Sequence, residues 1–319
     1  MNLDIYLDDF TQYLMQAEAD SLARFCASAP LQRHMIPLHG FLLKSFAVEQ
    51  QQDWPTGPLA ALAQEIDSQS EYFFLAHLVH LDLRTDYFSL QALPDVSTEH
   101  SDAVIDSLNM HFQDRGLHFA PTSVPNVMLM SSSSLPLIHT HHIAQVWGKD
   151  VRAYLPDGED ALHWRMMLNE MQMLLHEHPV NAQREENRQQ PINSVWIEGG
   201  GRLPNRSMRQ NTVLMSQQDV VRGLARLSAC EHLDLVHSFA DLEYHDHLVI
   251  FMQAHKQIEQ LWFEPLLEAL RGATVKKLNL HFAVAEYTFT LSLRPFDVWK
   301  VWRRKKPLLH YFSDFAHAN

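Results

Sequence analysis

Apolar positions in this chain follow two spacings. Between Asp4 and Ala27, the residues Ile5, Leu7, Phe10, Tyr13, Leu14, Ala17, Leu22 and Phe25 recur mostly at three- or four-residue intervals, which predicts an amphipathic helix. HMIPLHGFLL, His34 to Leu43, is a short apolar run broken by Pro37 and Gly40 and reads as a buried strand or turn. Pro55 to Pro58 reads as a loop, with a short helix over Leu59 to Ile66. Tyr72 to Leu83 and Tyr87 to Leu93 predict two strands joined at Arg84, Thr85 and Asp86. Ser97 can cap a helix running to Arg115, with Glu99 in its first turn and Gly116 as its stop.

The second half alternates more regularly. Asn126 to Met130 reads as a strand followed by four serines, Ser131 to Ser134. A helix over Glu159 to His178 carries Trp164, Leu168, Met171 and Leu175 on one face, with Asp157 as its N-cap, and Pro179 ends it. Beside that stripe lie Arg165, Asn169, Gln172 and His176, as a solvated face or a site lining. Strands are expected at Ser194 to Ile197, Thr212 to Met215, His247 to Met252, Val275 to Val284 and Glu286 to Leu293, and helices at Asp219 to Leu227 and Lys256 to Leu270. This succession predicts an α/β protein with a central, mainly parallel sheet flanked by helices and a more helical N-terminal part. No linker marks a boundary, so 1–319 reads as one unit, or as 1–120 followed by 121–319.

Composition narrows the classes. A net charge of -13 gives no general attraction to nucleic acid or anionic lipid. One basic run, Lys300 to Pro307, lies beside Trp299 and Trp302 and reads as a solvated chain end or a protein contact surface. Two cysteines, Cys26 and Cys230, leave no disulfide framework and suit a reducing cytoplasm. The opening MNLDIYLDDF carries acids where a secretory leader needs basic residues, and no apolar run approaches the ~20 residues that cross a bilayer. A cytoplasmic protein is expected.

The 21 histidines raise metal chemistry. IHTHH holds His139, His141 and His142, and EYHDH holds His245 and His247 beside Glu243 and Asp246. Two histidines at i and i+2 on a strand share a face and can share a metal, but neither run has helical H-E-x-x-H spacing or a cysteine pair. No nucleophile elbow or phosphate loop is present. The densest donor set is HEHPVNAQREENRQQPINSVWIEGGGRLP, His176 to Pro204. Here Asn181, Arg184, Asn193, Trp196 and Gly199, Gly200 and Gly201 can gather around an anion at strand ends, since a guanidinium fork suits carboxylate or phosphate and glycine lets backbone amides approach. The same spacing fits asparagines that cap turns and an arginine paired with Glu185 or Glu186.

That stretch resembles the RpfE-like family of bacterial regulatory proteins, whose run N-E-x-Q-M-L-L-x-x-H-P-V-N, R, N-S-x-W, G-G-G, L-P is matched here from Asn169 to Pro204. LVHLDLRTDYFSL, SLNMHFQDRGLHF and DVWKVWRRKKPL resemble the same family. Ile197 and Glu198 depart from it and make the loop more acidic. More remotely, the chain is similar to archaeal-type cofactor-independent phosphoglycerate mutases of the alkaline-phosphatase superfamily. The resemblance implies that fold and, in those enzymes, two divalent metals and a serine nucleophile. The corresponding ligand positions differ: HLVIFMQ runs through Ala254 and His255 into a helix, KLNLHFAVAEY has no D-H pair, and MIPLHGFLL offers no nucleophile region. The expectation is a catalytically degenerate regulatory protein, with no catalytic residues, metal or cofactor, that binds an anionic metabolite. The alternative is a metal-dependent phosphohydrolase or mutase built on the histidine clusters.

Overall fold

The computed structural model describes residues 1–16, 20–66, 71–83, 87–205, 211–300 and 302–312. In chain order the strands are β1 (Asn2–Asp8), β2 (Gln32–His34), β3 (Tyr72–Leu83), β4 (Phe88–Ala92), β5 (Leu117–Pro121), β6 (Val127–Ser132), β7 (Ser194–Gly201), β8 (Val213–Met215), β9 (Glu231–Leu233), β10 (His247–Gln253), β11 (Lys277–Val284) and β12 (Tyr287–Leu293). The helices are α1 (Phe10–Gln16), α2 (Asp20–Ser28), α3 (Leu38–Ser45), α4 (Thr56–Ala63), α5 (Thr98–Phe112), α6 (Ala161–His176), α7 (Pro179–Glu186), α8 (Asp219–Ser228), α9 (Glu264–Arg271) and α10 (Leu308–Tyr311). The fold is α/β, and its contacts divide it into two units. The first comprises Met1–Phe46, Ser207–Val221 and Ser228–Asn319, and the second Ala47–Arg206 and Arg222–Leu227.

The first unit is built on a sheet of order β2-β12-β11-β1-β10-β8-β9. From β11 to β9 neighbouring strands are parallel, and β12 and β2 extend the sheet antiparallel. The expected helix from Asp4 to Ala27 is corrected here. Leu3, Ile5 and Leu7 alternate with Asp4 and Tyr6 at the strand period of two, and the chain enters β1 before turning into α1 and α2. Leu248 to Met252 in β10 are all buried, the continuous apolar run that a strand covered on both faces requires. The core includes Phe10, Leu22 and Phe25 with Trp262, Phe263 and Leu266. HMIPLHGFLL forms the end of β2 and then α3, entered at Pro37, whose fixed φ and missing N–H suit a helix start. The expected helix over Lys256 to Leu270 contains a π-helical stretch over Glu259–Phe263, followed by α9. Pro265 cannot donate the i→i−4 bond to Leu261, and the turn before it widens.

The second unit is organised by an antiparallel sheet whose long strand, β3, pairs with β4, β6 and β7, while β5 pairs with β6. Alternation on β3 turns Tyr72, Phe74, Ala76 and Leu78 into a core with Val104 and Leu108 of α5 and Trp164 and Met171 of α6. α4 packs on β3 and β7. The Ser97 cap is present, its hydroxyl accepting from His100 N at 3.2 Å, and Gly116 ends the following 3-10 turn with φ 71°. The hairpin turn expected at Arg84 to Asp86 lies outside the described residues. At α6 the cap position belongs to Asp160 rather than Asp157, and Pro179 opens α7 as well as closing α6. His178 caps α7, its Nδ1 accepting from Val180 N.

Gly223 packs directly on backbone in this unit: a Cβ there would lie 1.8 Å from the Leu59 carbonyl oxygen. Gly223→Ala is therefore expected to destabilise the second unit by roughly 3 kcal/mol, a fall of roughly 6–12 °C in the melting transition that calorimetry resolves.

Candidate functional site

The donor-rich stretch His176 to Pro204 runs from the end of α6 through α7 into β7, and its side chains are used segment by segment. Asn181 donates from Nδ2 to the carbonyls of Leu175 (2.7 Å) and Ile192 (2.9 Å), and its Oδ1 accepts from Ile192 N (2.8 Å). Arg184 is 0% exposed. Its Nε donates to Gln190 O and its Nη2 to Asp95 Oδ1 at 2.8 Å, while His100 Nδ1 lies 3.3 Å from Nη1. The arginine thus pairs with Asp95 rather than with Glu185 or Glu186. Asn193 accepts from Leu81 N (2.6 Å) and donates to Leu81 O (3.0 Å), continuing the β3–β7 pairing through a side chain. These three residues tie backbone to backbone, each at a different place along the segment.

Trp196 and the glycines come next, and here the segment meets the IHTHH run. Trp196 is buried and its Nε1 donates to His141 O at 2.9 Å. The glycines lie inside β7 rather than in a loop after it. Gly199 has φ +65°, and a Cβ there would stand 1.7 Å from Thr56 Oγ1, so only glycine fits the approach. Gly200 N donates to Asp53 Oδ2 at 3.3 Å.

Two buried carboxylates, Asp53 and Glu198, organise this place. Asp53 is 4% exposed and accepts from Thr140 N (3.0 Å) and from the Thr140 hydroxyl, and His139 Nδ1 lies 2.5 Å from its Oδ1. Glu198 is 3% exposed and accepts from Ile143 N. His77 Nε2 lies 3.1 Å and His142 Nε2 3.6 Å from Glu198 Oε1. Burial alone would push the Glu198 carboxyl up, but His142 and His77, with the donors from His77 and Ile143 N, outweigh it and hold the group at about 2. The Asp53 hydrogen bond pushes His139 above the ordinary histidine range against the opposing effect of burial. His139 Nδ1 is committed to Asp53, its side chain is about half exposed, and its Nε2 makes no hydrogen bond among the described residues.

IHTHH is therefore divided between partners: His139 meets Asp53, His142 meets Glu198, and His141 Nδ1 lies 3.1 Å from Tyr154 O. In EYHDH, within the sheet of the first unit, His247 Nε2 lies 2.6 Å from Asp4 Oδ2 on the adjacent strand β1. Among the described residues no three His, Cys, Asp or Glu side chains gather as a metal would require. The parallel strands of the first unit end at Asp8 and Asp9, at Gln253, Ala254 and His255, and at Ala285 and Glu286, and among the described residues these carboxylates and His255 do not gather into one group of three. Near the chain end Trp299 and Trp302 are exposed, while Lys300 pairs with Asp297 and Lys305 with Asp20. No described helix is long and apolar enough to cross a membrane.

A family model places sequence similarity within the second unit. The family model for 2,3-bisphosphoglycerate-independent phosphoglycerate mutase matches residues 56–181. The chain is 25% identical over 199 residues to 2,3-bisphosphoglycerate-independent phosphoglycerate mutase 2 of Methanothermobacter thermautotrophicus, covering 59% of this chain and 48% of the relative. It is 26% identical over 138 residues to the mutase of Methanosarcina barkeri, covering 40% and 34%. The chain thus spans about half the length of the first of these relatives, or less. A solved cofactor-independent phosphoglycerate mutase from Thermoplasma acidophilum aligns with TM-score 0.41 and 17% identity over 92% of this chain and 89% of that one. The chain is mutase-like in sequence over the matched region.

Sequence reasoning marked the histidine run and the glycines but not Asp53, His77 or Thr140. Glu198 stood out only as a departure from a pattern. A lone acid or histidine on an apolar strand was the available signal, and it does not identify its partner.

Two stability measurements test these assignments. Arg184→Met should cost on the order of 3–5 kcal/mol in denaturant unfolding, because the Asp95 carboxylate and the carbonyls of Gln190 and Asp95 lose the guanidinium that donates to them. Glu198 has a folded pKa below its unfolded value, so its contribution is present above the unfolded pKa and is lost as pH falls towards about 2. Wild-type stability should drop by roughly 3 kcal/mol across that acid window, and Glu198→Gln should be less stable at neutral pH and lack that drop.

Proposed function

We propose that this chain is a phosphoglycerate-mutase-like protein without mutase turnover, which binds a small anionic metabolite and serves as a regulator. The observation that carries the reading is the His139–Asp53 pair beside the glycine strand. A buried carboxylate fixes the ring and favours its charged form, and Nε2 is left to donate to an anion. Gly199 to Gly201 and Trp196 shape the strand next to that donor. Asn181, Arg184 and Asn193 contribute by fixing the course of the segment. The similarity over residues 56–181 supports an ancestry among phosphate-handling enzymes. The passage of HLVIFMQ through Ala254 and His255 into a helix, and KLNLHFAVAEY without the D-H pair that the resemblance implies, support loss of turnover, since that chemistry needs metals to stabilise charge on the transferring phosphoryl group. The exposed Trp299 and Trp302 offer the surface for a regulated protein partner.

Titration of the untagged protein with 3-phosphoglycerate, 2-phosphoglycerate and simple carboxylates, followed by tryptophan fluorescence and melting temperature, tests this. His139 is raised, so its charge is present at lower pH and lost as pH rises through the folded value. Binding should therefore be stronger near pH 6 than near pH 8, and His139→Gln should weaken it about tenfold or more. No saturable shift with any of these anions would overturn the proposal. Stoichiometric metal that disappears in His141→Ala or His245→Ala would favour the metal-dependent hydrolase or mutase instead.

A further inference from the structure

The antiparallel sheet of the second unit carries a cavity that the histidine–carboxylate centre does not use. On β5 and β6 the core side takes Leu117, Phe119, Met128 and Met130, so His118, Ala120, Leu129 and Ser131 face the other way, as Phe73 does on β3. The register brings them together. Ser131 pairs with His118 on one side and Phe73 on the other, and Leu129 pairs with Ala120 in the next row. With Glu71 just before β3 and Ile66 after α4, these residues line a cavity of about 220 Å³.

The lining has the form of a ligand site. Phe73 and Leu129 make an apolar floor, each 1% exposed. Ser131 is only 7% exposed, and among the described residues its hydroxyl has no protein hydrogen-bond partner. Neither His118 nor Glu71 makes a side-chain hydrogen bond or ion pair among the described residues. Polar groups beside an apolar floor are what small-molecule pockets present. Ser131 also belongs to the serine run, for which the rest of the structure gives partial uses: Ser132 bonds to Ser134, and Ser133 packs on Gly116.

We propose that this cavity binds a small amine with an aromatic or compact aliphatic body. Glu71 is the carboxylate of the lining and receives the ammonium, the Ser131 hydroxyl accepts one of its hydrogens, and the body lies over Phe73, Leu129 and Ala120. The size agrees, since a cavity of about 150 Å³ holds benzene and the additional volume here accommodates a short aminoalkyl tail.

The probe is 2-phenylethylamine, titrated into the full chain by ligand-observed NMR and calorimetry, with ethylbenzene and 3-phenylpropionate as neutral and anionic controls. Saturable binding of the amine is expected, at least tenfold tighter than either control. Glu71→Gln should reduce it about tenfold, and Ala120→Trp, which fills the cavity from its exposed side, should abolish it, with the melting temperature of Glu71→Gln unchanged within about 2 °C. Absence of saturable amine binding, equal binding of ethylbenzene, or binding unaffected by both variants would each overturn the proposal.

Discussion

A carboxylate on the middle of a β-strand, closed off from water, sets the terms for the second unit. Glu198 faces a desolvation cost that unaided would neutralise it, and it remains ionised because His77, His142 and the Ile143 amide are brought to it. That requirement fixes the chain from Thr140 to Ile143 against β7 and fixes the face that β3 turns toward it. Asp53 repeats the arrangement nearby with Thr140, Gly200 and His139. The glycines follow from the same closeness, since a side chain at Gly199 would occupy the place of the Thr56 hydroxyl. Satisfied networks of this kind hold one arrangement firmly, because any member left alone is costly.

The asparagines and Arg184 acquire their meaning from this frame. Donors that suggest an anion in the sequence are spent on carbonyls and on Asp95, and they set the path from α6 to β7. What remains without a hydrogen bond among the described residues is Nε2 of His139, whose ring is held at Nδ1 by Asp53.

Much of the fold was legible because its signals are local. The Ser97 cap, the Gly116 stop, the Pro179 break and the apolar runs of β10, β11 and β12 each declare themselves within a few residues. β1 did not, because its short period-two stretch runs directly into helical spacing from Phe10 onward, and its place between β10 and β11 is decided by residues more than 240 positions away. β9, three residues long, is too short to show a period. The glycines of β7 resembled a loop because glycine weakens a strand unless another group needs the space. In the site, the histidines were visible and their partners were not. Asp53 lies 87 residues before Thr140, and Asp95 lies 89 before Arg184. Pairings over such separations leave no mark on local composition.

The central claim is binding without turnover. Its most direct test is phosphorus NMR of 3-phosphoglycerate incubated with the untagged protein, with magnesium, manganese or zinc supplied. The account predicts no appearance of 2-phosphoglycerate or inorganic phosphate above the protein-free rate, while the substrate resonance broadens on binding. Sustained conversion that scales with protein concentration would contradict it.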